Sequence, residues 1–271
     1  MSSQVSTSII ITSYNQSRTL RFLLCSLDRQ TVRDFEVIVA DDGSKDETAA
    51  LCQEKRTFPL TWVTQEDLGY RKAKILNQAL RQAQGEYLLF LDADVIVEKH
   101  FVEDHLSLRK PDHFVCGRRV DLGPNVSRQI VLSQVAQGKF DQLSLELLWS
   151  GLQNDSLGVK RALRLRSDWM RRALGYHRPI DLLGSNFSAW KEDILQVNGF
   201  NEALESYWGE DGDLYIRLRN QGKKAINAKG LCVQYHVYHP RRPVSLENEK
   251  RYQLLLQDAS YRWAQDGLMK A

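Results

Sequence analysis

Four short apolar runs, most of them rich in β-branched residues, recur along the first hundred positions: TSIIIT (7–12), FEVIVA (35–40), LTWVT (60–64) and YLLFL (87–91). Between them the apolar residues fall at helical spacing. Over 17–28, Leu20, Leu23, Leu24 and Leu27 make one stripe behind a serine expected to serve as N-cap. KDETAALCQEK predicts a second helix with acids in its first turn. Residues 71–84 predict a third, closed by Gly85. Runs that are apolar at consecutive positions bury both faces of a strand, and the helices between them supply crossovers. The alternation therefore predicts an α/β fold around a parallel sheet.

In such sheets a ligand sits beyond the carboxyl ends of the strands. The sequence places polar residues there: Thr12 to Asn15, Asp41 and Asp42, then Asp92 and Asp94. The last two interrupt the apolar stretch YLLFLDADVIV (87–97). Carboxylates are costly to bury without a compensating charge, so this pair belongs at the mouth of a crevice. Neither GxxxxGK[ST] nor a GxGxxG after the first strand is present. A nucleotide bound here needs another counter-charge for its phosphates, and a divalent cation held by carboxylate oxygens supplies one.

Residues 118–180 break the pattern. From 160 to 178, Lys and Arg alternate with Leu163, Leu165, Trp169, Met170 and Leu174. This predicts a basic, partly amphipathic helix, packed on the domain or turned toward an anionic acceptor or a membrane surface. After Pro179 come a loop, a short strand and a helix, then a helix whose start is crowded by Glu210, Asp211 and Asp213. LCVQYHVYHP (231–240) predicts a last strand ending in His236 and His239. A terminal helix over 245–266 would carry a Leu254, Leu255, Tyr261 stripe. The parts divide as 1–117, 118–180 and 181–271 within one domain.

A net charge of +3 is too small to point to nucleic acid. Cys25, Cys52, Cys116 and Cys232 form no CxxC pair and predict reduced thiols. No apolar stretch approaches the roughly 20 residues that span a bilayer, and the N-terminus lacks the regions of a signal peptide. The expected location is cytoplasmic, with peripheral contact at the inner membrane face through 160–178.

The stretches IIITSYN, VIVADDGSKDET, GYRKAKILNQAL and GEYLLFLDADVIV, followed by GSNFSAWKEDILQVNGFNE, YWGEDGDL and YHVYHP, resemble the inverting GT-A glycosyltransferases of the family-two type. The later motifs resemble the C-terminal half of β-1,4-galactosyltransferases and bacterial chondroitin polymerases. The resemblance covers most of the chain outside about 120–178. It implies a GT-A, Rossmann-like fold: a mostly parallel central sheet with helices on both faces, a helical insertion and a C-terminal helix.

It also implies roles. Asp92-Ala93-Asp94 is the DxD motif, with Asp94 on a Mn²⁺ or Mg²⁺ ion bridging to the diphosphate of a UDP-sugar and Asp92 meeting the ribose or sugar. His236 matches the third metal ligand and His239 competes for that place. Thr12 and Tyr14 correspond to uridine contacts, Asp42 to an acceptor for the uracil N3–H, and Arg71 to a diphosphate or base contact. Asp211, in a WGGED-like motif here one glycine shorter, corresponds to the general base. Glu210 and Trp208 would hold the acceptor, while Gly184 and Ser185 bring backbone close to the donor sugar. The implied reaction moves a hexose or N-acetylhexosamine of Gal, GalNAc or Glc type to a hydroxyl of a glycan or lipid-linked glycan, in bacterial surface-polysaccharide synthesis.

Two other enzyme classes fit less well. Haloacid-dehalogenase-type phosphatases carry their DxD after the first strand, whereas three strands precede it here, and nucleotidyltransferases carry an N-terminal glycine-rich loop that is absent. A catalytically weak glycan-binding module, or a subunit of a larger complex, of the same fold is the non-enzymatic alternative. Loss of the DxD, the base or the histidine would mark it, and all three are present.

Overall fold

In the computed structural model, which describes residues 5–205, 207, 209–240 and 246–270, Ile9, Ile10 and Ile11 have no solvent exposure. They belong to strand β1 (Thr7–Ser13), which is followed by α1 (Ser17–Leu27), β2 (Phe35–Asp41), α2 (Thr48–Cys52), β3 (Leu60–Thr64), α3 (Lys72–Gln82) and β4 (Tyr87–Asp92). β1 lies parallel between β2 and β4, and β3 adds in parallel outside β2. Successive residues alternate between two cores. Ile9, Ile11, Val37, Val39, Leu89 and Leu91 pack with the leucine stripe of α1. Ile10, Ile38, Leu88 and Phe90 face α3. This half matches the expected parallel α/β unit.

The chain continues with β5 (Val95–Val97), α4 (Phe101–Leu108), β6 (His113–Cys116) and β7 (Val120–Asp121), then four short helices: α5 (Pro124–Gln129), α6 (Leu132–Ala136), α7 (Leu145–Leu152) and α8 (Asp168–Ala173). It ends with β8 (Phe187–Trp190), α9 (Lys191–Gln196), α10 (Glu210–Asn220), β9 (Lys224–Asn227), β10 (Gln234–His236) and α11 (Leu246–Leu255). The seven-stranded sheet runs β3-β2-β1-β4-β8-β6-β9, with β8 antiparallel to both neighbours. A second sheet, β5-β10-β7, sits at the end of β4. All four cysteines are unpaired, and among the described residues no helix is long and apolar enough to cross a membrane.

Several local expectations are corrected. Ser17 is the first residue of α1 rather than its cap; its N–H donates to Asp46 Oδ2 at 2.7 Å. The other oxygen of Asp46 accepts from Thr48 N and Oγ1, so one carboxylate serves the starts of two helices. α2 is only five residues long, and its acids precede it. Gly85 does not close α3. A Cβ there would lie 2.5 Å from Ser8 N, so close approach to β1 demands the glycine.

No single helix forms over 160–178. A 3₁₀ turn at Val159–Ala162 and the six-residue α8 flank an extended piece, in which Arg164 grips Asp104 of α4 at 2.6 and 2.9 Å. The terminal helix stops at Leu255 and leaves Leu254 exposed. Beyond it Asn220 donates to the carbonyls of Asp258 and Tyr261, which bends the chain back.

Arg217, near the end of α10, is fully buried. It pairs with Asp213 one turn earlier at 2.6 Å and donates to the carbonyls of Val197 (2.6 Å) and Gly199 (2.8 Å). Replacing it with methionine strands a buried carboxylate. Arg217→Met is expected to cost about 3–5 kcal/mol in urea unfolding, and a loss below about 1 kcal/mol would show the pair to be dispensable.

Candidate active site

The turn after β4 is fixed by Ala93 N–H, which donates to Thr12 O at 2.8 Å. β5 then pairs antiparallel with β10, with Val95 opposite His236, and Val237 N–H donates to Asp94 O. This register brings Asp94 to the two histidines. Its Oδ2 lies 3.1 Å from His239 Nε2, 3.6 Å from His236 Nε2 and 3.3 Å from Gln16 Nε2. Its Oδ1 is buried without a partner among the described residues. The ligand atoms of Asp94, His236 and His239 all lie within 4.8 Å of one another. Both histidines converge, where the sequence left one or the other.

On the far side of His236, Nδ1 is 3.3 Å from Asp121 Oδ1, and that carboxylate is steadied by Arg119 Nε at 3.0 Å. Burial opposes charge on Asp94, but hydrogen bonds from both imidazoles hold its carboxyl far below the usual range. Burial likewise opposes charge on His236, but Asp121 and Asp94 raise its pKa. The hydrogen bond to Asp94 raises that of His239. A carboxylate with one oxygen unpartnered, beside two imidazoles of which one is oriented from behind by a carboxylate, is a donor set that fits a divalent cation.

Asp92 faces another way. It accepts from Thr12 Oγ1 at 2.6 Å and from Lys72 Nζ at 2.8 Å. Lys72 also lies 3.1 Å from Glu210 Oε1, which accepts from Tyr70 OH. Burial disfavours the ammonium, but the two carboxylates raise its pKa well above the ordinary value. One lysine thus ties the end of β4 to the start of α10.

At that start Asp211 accepts from Gly184 N–H (2.9 Å) and Gly212 N–H (2.8 Å). Burial first, and then the neighbouring Glu210, push its carboxyl up to about 6. A Cβ on Gly184 would sit 3.3 Å from Asp211 Cβ, so a side chain there would press on the acid. The next residue, Ser185, is buried; its Oγ accepts from Arg119 and its carbonyl from Gln234 of β10. The acid and β10 are thereby linked through two small residues.

Asp42 accepts from Arg71 N–H (2.9 Å) and from Gln65, while Asp41 takes the turn-closing bonds from Ser44. Arg71 donates its guanidinium to Glu66 O, and Tyr14 OH is within 3.4 Å of Asp67. Trp208 lies outside the described residues. Lys72, Asp121 and Gln16 escaped the sequence reading. Lys72 offered a signal: a cation in the first turn of a helix opposes the helix dipole and needs a local reason. Asp121, in a two-residue strand, offered none.

The model of glycosyl transferase family 2 matches residues 8–168, more than half of the chain. The chain belongs to glycosyl transferase family 2. Residues 168–240 match the N-terminal domain of galactosyltransferase. Among relatives, validoxylamine A glucosyltransferase of Streptomyces hygroscopicus is 39% identical over 79% of this chain and 51% of its own length. An uncharacterized glycosyltransferase, YfnE, of Bacillus subtilis is 29% identical over 89% and 67%. Chondroitin synthase of Escherichia coli is 26% identical over 89% and 35%, so the chain spans about a third to two thirds of these relatives. The fold is that of GT-A glycosyltransferases. S. aureus TarS in complex with UDP-GlcNAc superposes with a TM-score of 0.61 at 20% identity, over 93% of this chain and 65% of that one. A Pyrobaculum calidifontis mannosyltransferase in complex with GDP-Man and Mn²⁺ gives 0.59 at 20% identity, over 89% and 59%.

The raised carboxyl of Asp211 has a thermodynamic consequence. Its folded pKa of about 6 exceeds the 3.8 of a free side chain, so the folded state binds the proton more tightly. The associated stability is present below about pH 4 and is lost as pH rises through 6. Asp211→Asn should therefore stabilise the protein at pH 8, by about 1–2 kcal/mol after discounting for partial solvent contact, and barely at pH 4. Urea unfolding at both pH values checks this; equal effects would contradict it.

Proposed function

We propose that this chain is a metal-dependent, inverting glycosyltransferase that moves a hexose or N-acetylhexosamine of Gal, GalNAc or Glc type from a UDP-sugar to a hydroxyl of a glycan or lipid-linked glycan. The observation that carries the proposal is the buried Oδ1 of Asp94, unpartnered among the described residues, beside His236 and His239, with another carboxylate, Asp211, whose pKa is raised, on the adjoining helix. Asp94, His236 and His239 would hold Mn²⁺ in preference to Mg²⁺, since two of the three donors are imidazole nitrogens. When bound, such an ion neutralises charge on the departing diphosphate.

The protein's own residues do the rest. Asp211 takes the proton from the attacking hydroxyl, and a carboxyl titrating near 6 is a stronger base than an ordinary one while remaining ionised at pH 7. Gly184 and Ser185 leave room for the donor sugar beside that acid. Thr12, Tyr14, Asp42 and Arg71 form the uridine side, with Asp42 already oriented by Arg71 N–H and Gln65. Lys72 keeps Asp92 and Glu210 in place so that the donor and acceptor halves hold a fixed distance. The likeness to chondroitin synthase supports the glycan acceptor, and on that acceptor rests the bacterial surface-polysaccharide setting. The alternative, a glycan-binding module, predicts no release of UDP from any UDP-sugar supplied with Mn²⁺.

Three substitutions separate these roles. Asp211→Asn should lower turnover by roughly 10²–10⁴-fold while UDP still binds with Mn²⁺. Asp94→Ala should abolish the metal-dependent part of UDP affinity in calorimetry. Asp121→Asn, which only orients His236, should weaken Mn²⁺ by about 10–100-fold. Near-normal transfer by Asp211→Asn would place the base elsewhere, and unchanged titrations of the other two would remove the metal assignment. In wild type the acid limb of the rate profile should fall near pH 6.

A membrane setting rests on a different observation. On α7, Leu145, Leu148, Trp149 and Leu152 are 84%, 41%, 63% and 76% exposed at helical spacing. They sit in a segment, 118–180, with eleven Lys and Arg against five Asp and Glu. An apolar stripe within a cationic segment suits an anionic bilayer surface. Liposome flotation should recover the wild-type chain with anionic vesicles and lose it on Leu145→Ser, Trp149→Ser; absence of binding to anionic vesicles would end this reading.

A further inference from the structure

A cavity of about 550 Å³ lies on the outer side of the sheet, bounded by the edge strand β9, by α8 and by the end of α10. Six cations line it, Lys110, Arg171, Arg172, Arg219, Lys223 and Lys224, against one carboxylate, Asp168. Arg172 is spent on Asp168 and Lys223 on Asp112 and Asp193. Among the described residues no carboxylate pairs with Lys110, Arg171, Arg219 or Lys224.

Arg171 is the informative one. It is 9% exposed, and its guanidinium donates to the carbonyls of Asn227 (2.8 Å) and Lys229 (3.3 Å). The carboxylate on the cavity wall near it, Asp168, is already paired with Arg172, so the cationic wall is left under-neutralised. The basic segment 160–178 thus folds two of its arginines into a concave, predominantly cationic site.

The position of this cavity gives it a purpose. Asp211, Tyr215 and Arg219 are spaced four residues apart on α10, along one side of the helix. Tyr215 and Arg219 line the cavity, and Arg219 lies about 12 Å along the axis from the acid. We propose that this cavity is an anion subsite for the acceptor, binding a phosphate, sulfate or carboxylate that the acceptor carries behind its attacking hydroxyl. The inference rests on Asp211 marking the acceptor side.

The test uses Lys110→Ala, Arg219→Ala, Lys224→Ala in one chain, since all three side chains are exposed and, among the described residues, none is in an ion pair; Arg219 gives up only exposed hydrogen bonds to Leu256 O and Asn220 Oδ1. In EDTA, calorimetry measures inorganic pyrophosphate, a uronate-containing tetrasaccharide and a neutral tetrasaccharide of equal length. Wild type should bind at least one anionic probe, tightening at low salt, and the triple variant should bind it at least about tenfold more weakly. Preference for pyrophosphate would make a carrier phosphate the source, and preference for the uronate a glycan carboxylate. The variant should keep wild-type affinity for UDP with Mn²⁺. No preference of the wild type for either anion over the neutral sugar, or equal anion binding by the variant, overturns the subsite. Failure of UDP and Mn²⁺ to bind the wild type would instead overturn the glycosyltransferase reading and leave the anion result standing.

Discussion

Like charges crowd the rim of this sheet, and their mutual repulsion is the constraint that the surrounding structure answers. Asp92, Asp94, Asp121, Glu210 and Asp211 come from three strand ends and one helix start. Each is compensated differently. Lys72 is shared between Asp92 and Glu210, while two imidazoles take Asp94 and an arginine steadies Asp121. Asp211 is held by backbone amides, and burial together with its carboxylate neighbour Glu210 drives its pKa upward against the weaker pull of Lys72.

That division separates two chemistries over a short span. Where nitrogen donors surround a carboxyl it stays ionised to low pH, as a cation site requires. Where burial and a like charge act together, the acid becomes a better proton acceptor. Of the adjacent residues Glu210 and Asp211 on one helix, Lys72 reaches only the first within ion-pair distance. Gly184 matters for the same reason: any larger residue would press on the acid and disturb the amide that holds it.

The insertion illustrates how tertiary contacts overrule periodicity. Apolar and basic residues alternate over 160–178 in a way that suits one helix. Yet Arg164 sits in an extended piece where it makes a forked contact to Asp104, and the short α8 turns Arg171 onto the carbonyl that ends β9. The result is short pieces wrapped against the second half of the sheet, which turn a basic stripe into a concave cationic surface and leave the apolar face of α7 uncovered.

Much of the first hundred residues was legible because both-face burial leaves a local mark. Consecutive isoleucines and valines mean a central strand, and a leucine stripe means the helix beside it. The DxD pair, the two histidines and the acids before DLYIRL were legible as chemistry because carboxylates and imidazoles at element ends have few structural uses. What sequence could not supply was partnership at long range. That His236 and His239 both reach Asp94 follows from the antiparallel register of β5 and β10, which pairs residues some 140 positions apart. That Lys72 bridges Asp92 to Glu210, that Asp121 stands behind His236, and that Arg217 is buried all depend on packing between elements whose order along the chain carries no distance information. Local pattern determined which residues could do chemistry; only the folded sheet decided which of them meet, because charge compensation acts through space and not along the chain.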